Sequence, residues 1–405
     1  MVGSGSLSQV TNIAAARRVE HVRYAIRDIA VLADELVREG KQIIPLNIGD
    51  PLAFDFRTPT HLVEAVTKAM RDGKNGYAPS LGLPEALEAI RAQAEHQNIR
   101  NIQSVFVTYG VSEAAGICLE ALLNRAENVL VPCPDYPLYS AILTRLEAEA
   151  NFYRLDEHHG WEPDLKDLED RIDAKTRAIV VINPNNPTGA VYSLRTLEAI
   201  VEIARRHRLL LIADEIYDKL ILDGEPHHPV ASLAPDLPVV TLNGLSKAYL
   251  VPGWRVGWVV VSGPAEAARG YVECLHKLVR ARLSANFPMQ FAIRPALDGP
   301  QDHLSDTLAK LRRRRDFTVE WCRSIPGADC VPPRGAFYAF PRFPVTGRDE
   351  AFVRELLREK QVMIVHGSGF GMDQEAAYFR IVFLPTEVAL REAYQRIGAF
   401  LAERR

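Results

Sequence analysis

Lys247 stands in Asn243-Gly244-Leu245-Ser246-Lys247, directly after the apolar run Val239–Leu242, with Arg255 eight residues beyond it and Gly257-Trp258 closing the segment. A lone lysine is usually a solvated surface group. One set at a strand end, between a serine hydroxyl and a guanidinium, is suited to nucleophilic work beside a bound phosphate. Three further segments share this construction. Asp214-Glu215-Ile216-Tyr217 follows Leu209–Ala213 and offers a carboxylate with a phenol three residues on; alone, it reads equally well as an acidic helix cap. Asn183-Pro184-Asn185-Asn186-Pro187-Thr188-Gly189 follows Ala178–Ile182 and carries more amide side chains than a plain turn needs. Gly110-Val111-Ser112-Glu113 follows Val105–Thr108 and opens a helix expected over 114–123. Backbone N–H groups at that helix start, with the Ser112 hydroxyl, suit a phosphate, although a simple N-cap has the same composition.

The four segments together ask for a ligand with a phosphate, a cationic ring nitrogen, a phenolate-like oxygen and a carbonyl able to join an amine. Pyridoxal 5′-phosphate has all four. On this reading Lys247 forms the Schiff base, and Asp214 keeps the pyridine nitrogen protonated so that the ring acts as an electron sink. Tyr217 and Asn186 hydrogen-bond the ring oxygen, while the Val111 backbone, Ser112, Ser246 and Arg255 hold the phosphate.

Such groups need a scaffold that brings strand ends together. From about Thr58 the chain alternates helical patterns with short apolar runs, including Val129–Val131 and Val256–Val261, as in a parallel sheet covered by helices on both faces. Helices are expected over 59–71, 84–95 and 194–207, the last with Leu194, Leu197, Ile200, Val201 and Ala204 on one face. The fold class is therefore α/β, a doubly wound and mostly parallel sheet, whose ligands bind at the C-terminal strand ends. After about Pro295 the texture changes to a long basic helix, a strand over 336–340, a helix over 350–359, strands over 362–365 and 379–383, and a helix over 387–402. We expect an arm at 1–21, a large domain at 55–295, and a small α+β domain from 22–54 and 296–405, with the site in the cleft between the two.

Composition narrows the function further. Among 405 residues, 47% are hydrophobic and 24% charged, and 48 Lys+Arg against 51 Asp+Glu leave a formal charge of −3. No strong field gathers nucleic acid or anionic membrane, and no apolar run approaches the ~20 residues of a bilayer span. Five widely spaced cysteines without a CxxC pair support neither a disulfide framework nor a zinc site. With no secretory pattern in the first twenty residues, a cytoplasmic protein is expected. Gly367-Ser368-Gly369-Phe370-Gly371 is no dinucleotide loop, since Met372 takes the sixth position and a strand follows too soon. His158-His159 and His227-His228 are adjacent in polar loops and share no face, so no metal site is expected. Arg312 to Arg315 reads as a solvated helix face. Arg380, between Phe379 and Ile381, needs an anion if buried, and a planar guanidinium suits a substrate carboxylate.

The motifs Leu46-Asn47-Ile48-Gly49-Asp50-Pro51, Tyr77 to Pro84, Pro134-Asp135-Tyr136-Pro137, Asn183 to Gly189, Asp214 to Tyr217, Ser246-Lys247 with Arg255, and Phe379-Arg380-Ile381 are present in order. With them the chain resembles the class I/II aminotransferases of fold type I, from about Val22 to Ala402. Through Tyr24-Ala25-Ile26-Arg27, His366 to Gly371 and Phe383-Leu384-Pro385 it is most similar to the bacterial and archaeal alanine (glutamate–pyruvate) aminotransferases. The resemblance implies that Tyr136 stacks on the cofactor ring and that Tyr77 reaches the phosphate of a neighbouring subunit in a homodimer with shared sites. It also implies that Gly49, Asn186 and Arg380 meet the substrate, Arg380 gripping its α-carboxylate. Some relatives have glycine where this chain has Val111, of which only the backbone N–H is used. Tyr24 and Arg27 lie in a segment able to fold over the cleft, with Arg27, or alternatively Arg282, available to a distal carboxylate. The substrates are then amino acids and 2-oxo acids, alanine with 2-oxoglutarate first, exchanged by a ping-pong route. An aromatic or aspartate aminotransferase, or a C–S/β-lyase on the same fold, is the alternative.

Overall fold

The computed structural model describes residues 13–224 and 226–404. The first twelve residues of the expected arm lie outside the described residues. The strands are β1 (Ile44–Pro45), β2 (Ile102–Thr108), β3 (Asn128–Cys133), β4 (Glu149–Asp156), β5 (Glu162–Pro163), β6 (Thr176–Ile182), β7 (Leu210–Asp214), β8 (Val239–Gly244), β9 (Gly257–Ser262), β10 (Tyr338–Ala339), β11 (Val362–Met363), β12 (Val365–His366) and β13 (Phe379–Val382). Eight form one sheet in the order β2-β9-β8-β7-β6-β3-β4-β5. From β8 through β4 the neighbours are parallel, whereas β9 opposes both β2 and β8, and β5 opposes β4.

The α/β, mostly parallel expectation is met, but the two reversed strands were not legible. An apolar run reports burial on both faces and carries no direction. The reversal of β9 matters chemically. A parallel strand delivers the residues that follow it to the C-terminal edge of the sheet, and an antiparallel one delivers those that precede it. Arg255 precedes β9, and the register Gly244↔Gly257 therefore brings it to the same edge as Lys247.

Period-two alternation divides the strands between two cores. Leu130, Ile179, Val181 and Leu211 pack with Leu197, Ile200 and Val201 of helix Leu194–His207 on one face. Val129, Val131, Val180 and Ile212 pack with Ala115 and Leu119 of helix Val111–Leu122 and with Leu275 and Val279 of helix Ala265–Ala281 on the other. Each such Val, Leu or Ile side chain contributes about 1.5–3 kcal/mol when fully buried. Ser193 caps helix Leu194–His207 by accepting the Thr196 N–H. Leu194, expected on its buried face, is exposed, because at the first helical position the side chain leans back beyond the first turn; Ile203 is buried instead.

A third core gathers helices Ala25–Arg38, Asp302–Ser324, Asp349–Lys360 and Glu387–Ala402 around the antiparallel sheet β10-β13-β12 and the parallel pair β1-β11. The strand expected over 362–365 is in fact two, β11 and β12, which pair in different sheets. The expected 336–340 strand retains two paired residues, Tyr338 opposite Val382 and Ala339 opposite Ile381. The basic run is not a solvated face. Arg314 is buried and holds both carboxylate oxygens of Asp55 at 2.6 and 2.8 Å, and Arg312 donates to the Leu222 carbonyl. Helical periodicity marks one charge in four as inward-facing, but not the carboxylate 259 residues away that makes burial tolerable.

Gly189 joins this core to the large sheet. Its carbonyl accepts the N–H groups of Arg334 and Gly335 at 2.9 and 2.8 Å, its φ is +70°, and a Cβ there would lie 2.8 Å from the Tyr338 carbonyl and 2.5 Å from Pro333. Both the left-handed backbone and the close approach require glycine. Gly189→Ala should therefore destabilise the protein by about 2 kcal/mol or more, measured by urea denaturation; an unchanged midpoint would refute this role.

Candidate active site

The C-terminal strand ends, the loop between β8 and β9, the Ile48–Asp50 segment and the start of helix Ala25–Arg38 enclose a cavity of about 440 Å³. Tyr24, Arg27, Gly49, Val111, Ser112, Tyr136, Asn186, Asp214, Tyr217, Ser246, Lys247, Arg255 and Arg380 all line it. Of the expected site residues two do not, Tyr77 and the alternative candidate Arg282. Tyr77 is 80% exposed, away from the cavity of its own chain.

Lys247 donates to the Gly49 carbonyl at 2.8 Å, and its amine lies over the rings of Phe337 and Tyr217 at 5.4 and 5.9 Å. Desolvation pulls its pKa down to about 8; Asp50 opposes the shift, while the cations Arg380 and Arg255 add to it. A neutral, nucleophilic amine is thus within reach near neutral pH. Gly49 has a steric role as well, because a Cβ there would collide with Tyr338 Oη and Phe337.

Asp214 ends β7 and is buried. Burial raises its pKa to about 6, against hydrogen bonds from Tyr139 Oη at 2.8 Å and the Ile216 N–H at 3.3 Å. Tyr139 was missed by sequence reasoning; it lies in the first turn of helix Pro137–Leu146, three residues after Tyr136, which precedes the helix in extended backbone. In the asparagine-rich turn the amides divide their work. Asn183 accepts the Tyr192 N–H and Asn185 accepts from Thr188, which builds the turn, and Asn186 faces the cavity.

Arg380 is buried in β13. It donates to Asn186 Oδ1 at 2.9 Å and to the Asn47 carbonyl, and stacks over Tyr338 and Phe370 at 4.7 and 4.9 Å. Burial lowers its pKa. No carboxylate of the described residues pairs with it, and its Nε has no partner. Arg282, the other candidate for a substrate carboxylate, is committed elsewhere: it pairs with Glu113 at 2.8 Å and donates to the Ser80 and Val107 carbonyls. Tyr24 meets Tyr136 hydroxyl to hydroxyl at 3.0 Å and covers the cavity beside Arg27. Tyr338, also unforeseen, is hydrogen-bonded to Tyr217 at 2.7 Å; its place in Gly335-Ala336-Phe337-Tyr338 gave no polar signal beyond the phenol itself.

An α/β scaffold that presents a desolvated lysine, a buried carboxylate and a guanidinium without a counter-ion in one cleft defines an enzyme acting on a carboxylate-bearing substrate through amine chemistry. The chain belongs to the class I and II aminotransferases, whose family profile matches residues 41–397, a family that uses pyridoxal 5′-phosphate. It is 44% identical over 397 residues to the glutamate-pyruvate aminotransferase AlaA of Haemophilus influenzae, covering 96% of this chain and 98% of that one. It is 40% identical to an alanine aminotransferase of Mycobacterium tuberculosis, covering 97% and 93%. The structure of an alanine aminotransferase from Pyrococcus furiosus superimposes with a TM-score of 0.92 at 41% identity, covering 96% of this chain and all of that one.

The Tyr139 bond carries a signed expectation. The folded-state pKa of Asp214, about 6, lies above its ordinary value, so in the cofactor-free protein ionising it costs stability as pH rises from ~4 through ~6. Tyr139→Phe removes a donor to the carboxylate and should raise that pKa further. The added destabilisation is at most about 1.4 kcal/mol at pH 7, one pH unit above the wild-type value, and is gone by pH ~5. Denaturation of wild type and variant at both pH values checks it; an equal loss at both would show that the bond does not serve the ionised form.

Proposed function

We propose that this chain binds pyridoxal 5′-phosphate covalently through Lys247 and transfers the amino group between alanine and 2-oxoglutarate, giving pyruvate and glutamate. The observation that carries the reading is the buried guanidinium of Arg380, unpaired by any described carboxylate, in the same cavity as the desolvated amine of Lys247. The donor set fits the cofactor. Arg255, Ser112, Ser246 and the Val111 backbone cluster where a phosphate needs cations and N–H groups. Asp214 can answer a protonated ring nitrogen, Tyr217 and Asn186 can donate to the ring oxygen, and Tyr136 supplies an aromatic face. When bound, the cofactor supplies an electron sink for the pair left at the substrate Cα.

The chain's own residues do the rest. Arg380 grips the α-carboxylate with two parallel N–H groups and thereby fixes the Cα proton relative to Lys247. Lys247 Nζ, held at the Gly49 carbonyl, would take that proton as general base and give it back as general acid. Tyr24, against Tyr136, closes the cavity to water and leaves room for a methyl-sized side chain, while Arg27 at its mouth meets the distal carboxylate of glutamate and 2-oxoglutarate. The resemblance to alanine aminotransferases supports this choice over aromatic or aspartate donors.

We assign residues 55–295 to a large cofactor-binding domain and 22–54 with 296–405 to a small one, and a third core built mostly from the latter residues supports the division. The working unit is a C2 homodimer in which Tyr77 crosses to the neighbour's phosphate, a role consistent with its exposure in the single chain. The free cysteines suit the cytoplasm.

Four measurements test the function. Borohydride reduction followed by peptide mapping should place the cofactor on Lys247, and adducts on another lysine would sink the assignment. Because a pKa near 8 lies below that of an ordinary lysine, attachment of cofactor to the stripped protein should accelerate about tenfold per pH unit and level off above pH ~8. A plateau only above pH ~10 would mean a solvated amine. For substrate choice, kcat/KM with 2-oxoglutarate should favour alanine over phenylalanine and aspartate. If either competitor exceeds alanine tenfold, about 1.4 kcal/mol of transition-state binding, the alanine reading fails while the aminotransferase stands. Keto-acid release without stoichiometric amination of the cofactor would instead indicate a lyase.

A further inference from the structure

Tyr338 belongs to β10, whose register with β13 sets Tyr338 opposite Val382 and brings it beside Arg380. Its ring lies under the Arg380 guanidinium at 4.7 Å, and its hydroxyl fills the space left by the missing side chain of Gly49. That hydroxyl lies 2.7 Å from Tyr217 Oη, a contact in which either oxygen can be the donor. Among the described residues, Tyr217 is the hydrogen-bond partner recorded for it. Both rings are buried and meet edge to face at 5.7 Å.

Counting protons resolves the direction once a ligand is present. Tyr217 has one hydroxyl proton. On the reading proposed above it is donated to the cofactor's ring oxygen, and it cannot then also be donated to Tyr338. The 2.7 Å contact survives only if Tyr338 is the donor and Tyr217 Oη the acceptor. A phenol that accepts a hydrogen bond becomes a stronger donor, since chained hydrogen bonds polarise one another in a low-dielectric site.

We propose that Tyr338 is a positioning residue for the cofactor's ring oxygen, donating its hydroxyl proton to Tyr217 and so committing the Tyr217 proton to that oxygen. The inference rests on the reading of Lys247 as the cofactor's anchor. It makes a phenol carried by the third core part of the electronics of a site built on the large sheet. The same core carries Arg380, so the group that grips substrate and the group that tunes the ring oxygen sit on paired strands, β13 and β10.

The consequence is measurable without substrate. Negative charge on the ring oxygen is stabilised by the relay, which lowers the proton affinity of the lysine–cofactor nitrogen beside it. Tyr338→Phe keeps the ring under Arg380 and deletes the donor. The charged groups that also face this cluster, namely Lys247, Arg380, Arg255, Asp50 and Asp214, and the phenols Tyr24 and Tyr136, remain in place.

Spectrophotometric pH titration of the holoenzyme should show the midpoint of the lysine–cofactor linkage rising by about half to one pH unit in Tyr338→Phe, a three- to tenfold gain in proton affinity. Tyr217→Phe should raise it further. The double variant should match Tyr217→Phe alone, because the relay runs through Tyr217 and the two effects cannot add. The affinity for acetate, a probe of the Arg380 clamp, should stay within about twofold in Tyr338→Phe. An unchanged midpoint in Tyr338→Phe alongside a raised one in Tyr217→Phe overturns the proposal, as does a fully additive double variant or a midpoint shift that only follows a loss of acetate binding. If borohydride fixes no cofactor on Lys247, the functional reading fails first and takes this role with it; if it does, these titrations judge Tyr338 alone.

Discussion

A guanidinium taken out of water without a described carboxylate to meet it carries a heavy desolvation cost, and the arrangement around Arg380 is a response to that cost. Removing such an ion from water carries an effective penalty of several kcal/mol even after relaxation. The partial payment is made by neutral groups, namely the Asn186 amide oxygen, the Asn47 carbonyl and the faces of Tyr338 and Phe370. None of these neutralises the charge. They hold the fork in a plane and leave the Coulombic attraction for an incoming anion, which is how a binding group differs from a structural ion pair such as Arg314 with Asp55.

The need to satisfy Arg380 from distant parts of the chain explains much of the packing. Its partners come from the segment after β1, the turn after β6, β10 and the short helical turn Gly367–Phe370. These converge only if the third core docks on the C-terminal edge of the large sheet, and Gly189, with two N–H groups of residues 334 and 335 on its carbonyl, is a point where backbone meets backbone without a side chain between. The cavity is therefore a product of the docking.

Within it, one physical cause acts on two groups in opposite senses. Desolvation disfavours whichever form is charged, so it lowers Lys247 to about 8 and raises Asp214 to about 6. The amine becomes available as a nucleophile and base, and the carboxylate is left poised for a cationic partner that restores its charge. Four phenols, Tyr24, Tyr136, Tyr217 and Tyr338, surround these groups as donors and acceptors; burial pushes Tyr136, Tyr217 and Tyr338 up from the ordinary phenol value. Hydrogen bonds supply most of the directionality here, and the few charges supply the driving force.

The sequence by itself determined the pieces that are local. Apolar runs of a few residues marked the strands, turn-formers marked their ends, and the residues after those ends, Lys247, Asp214, Tyr217, Asn186 and Ser112, were legible as lining one cavity, because each sits within a few residues of the strand that aims it. Tertiary structure alone decided what depends on pairing across long separations. It set the direction of β9, and hence the meeting of Arg255 with Lys247. It divided 362–365 between two sheets, buried Arg314 against Asp55 rather than in water, and turned Arg282 toward Glu113 instead of substrate. It also put Tyr139 on Asp214 and Tyr338 on Tyr217. Periodicity reports which face of an element is buried, but not which element it will face, and the partner that makes a buried polar group tolerable is chosen only when the elements dock.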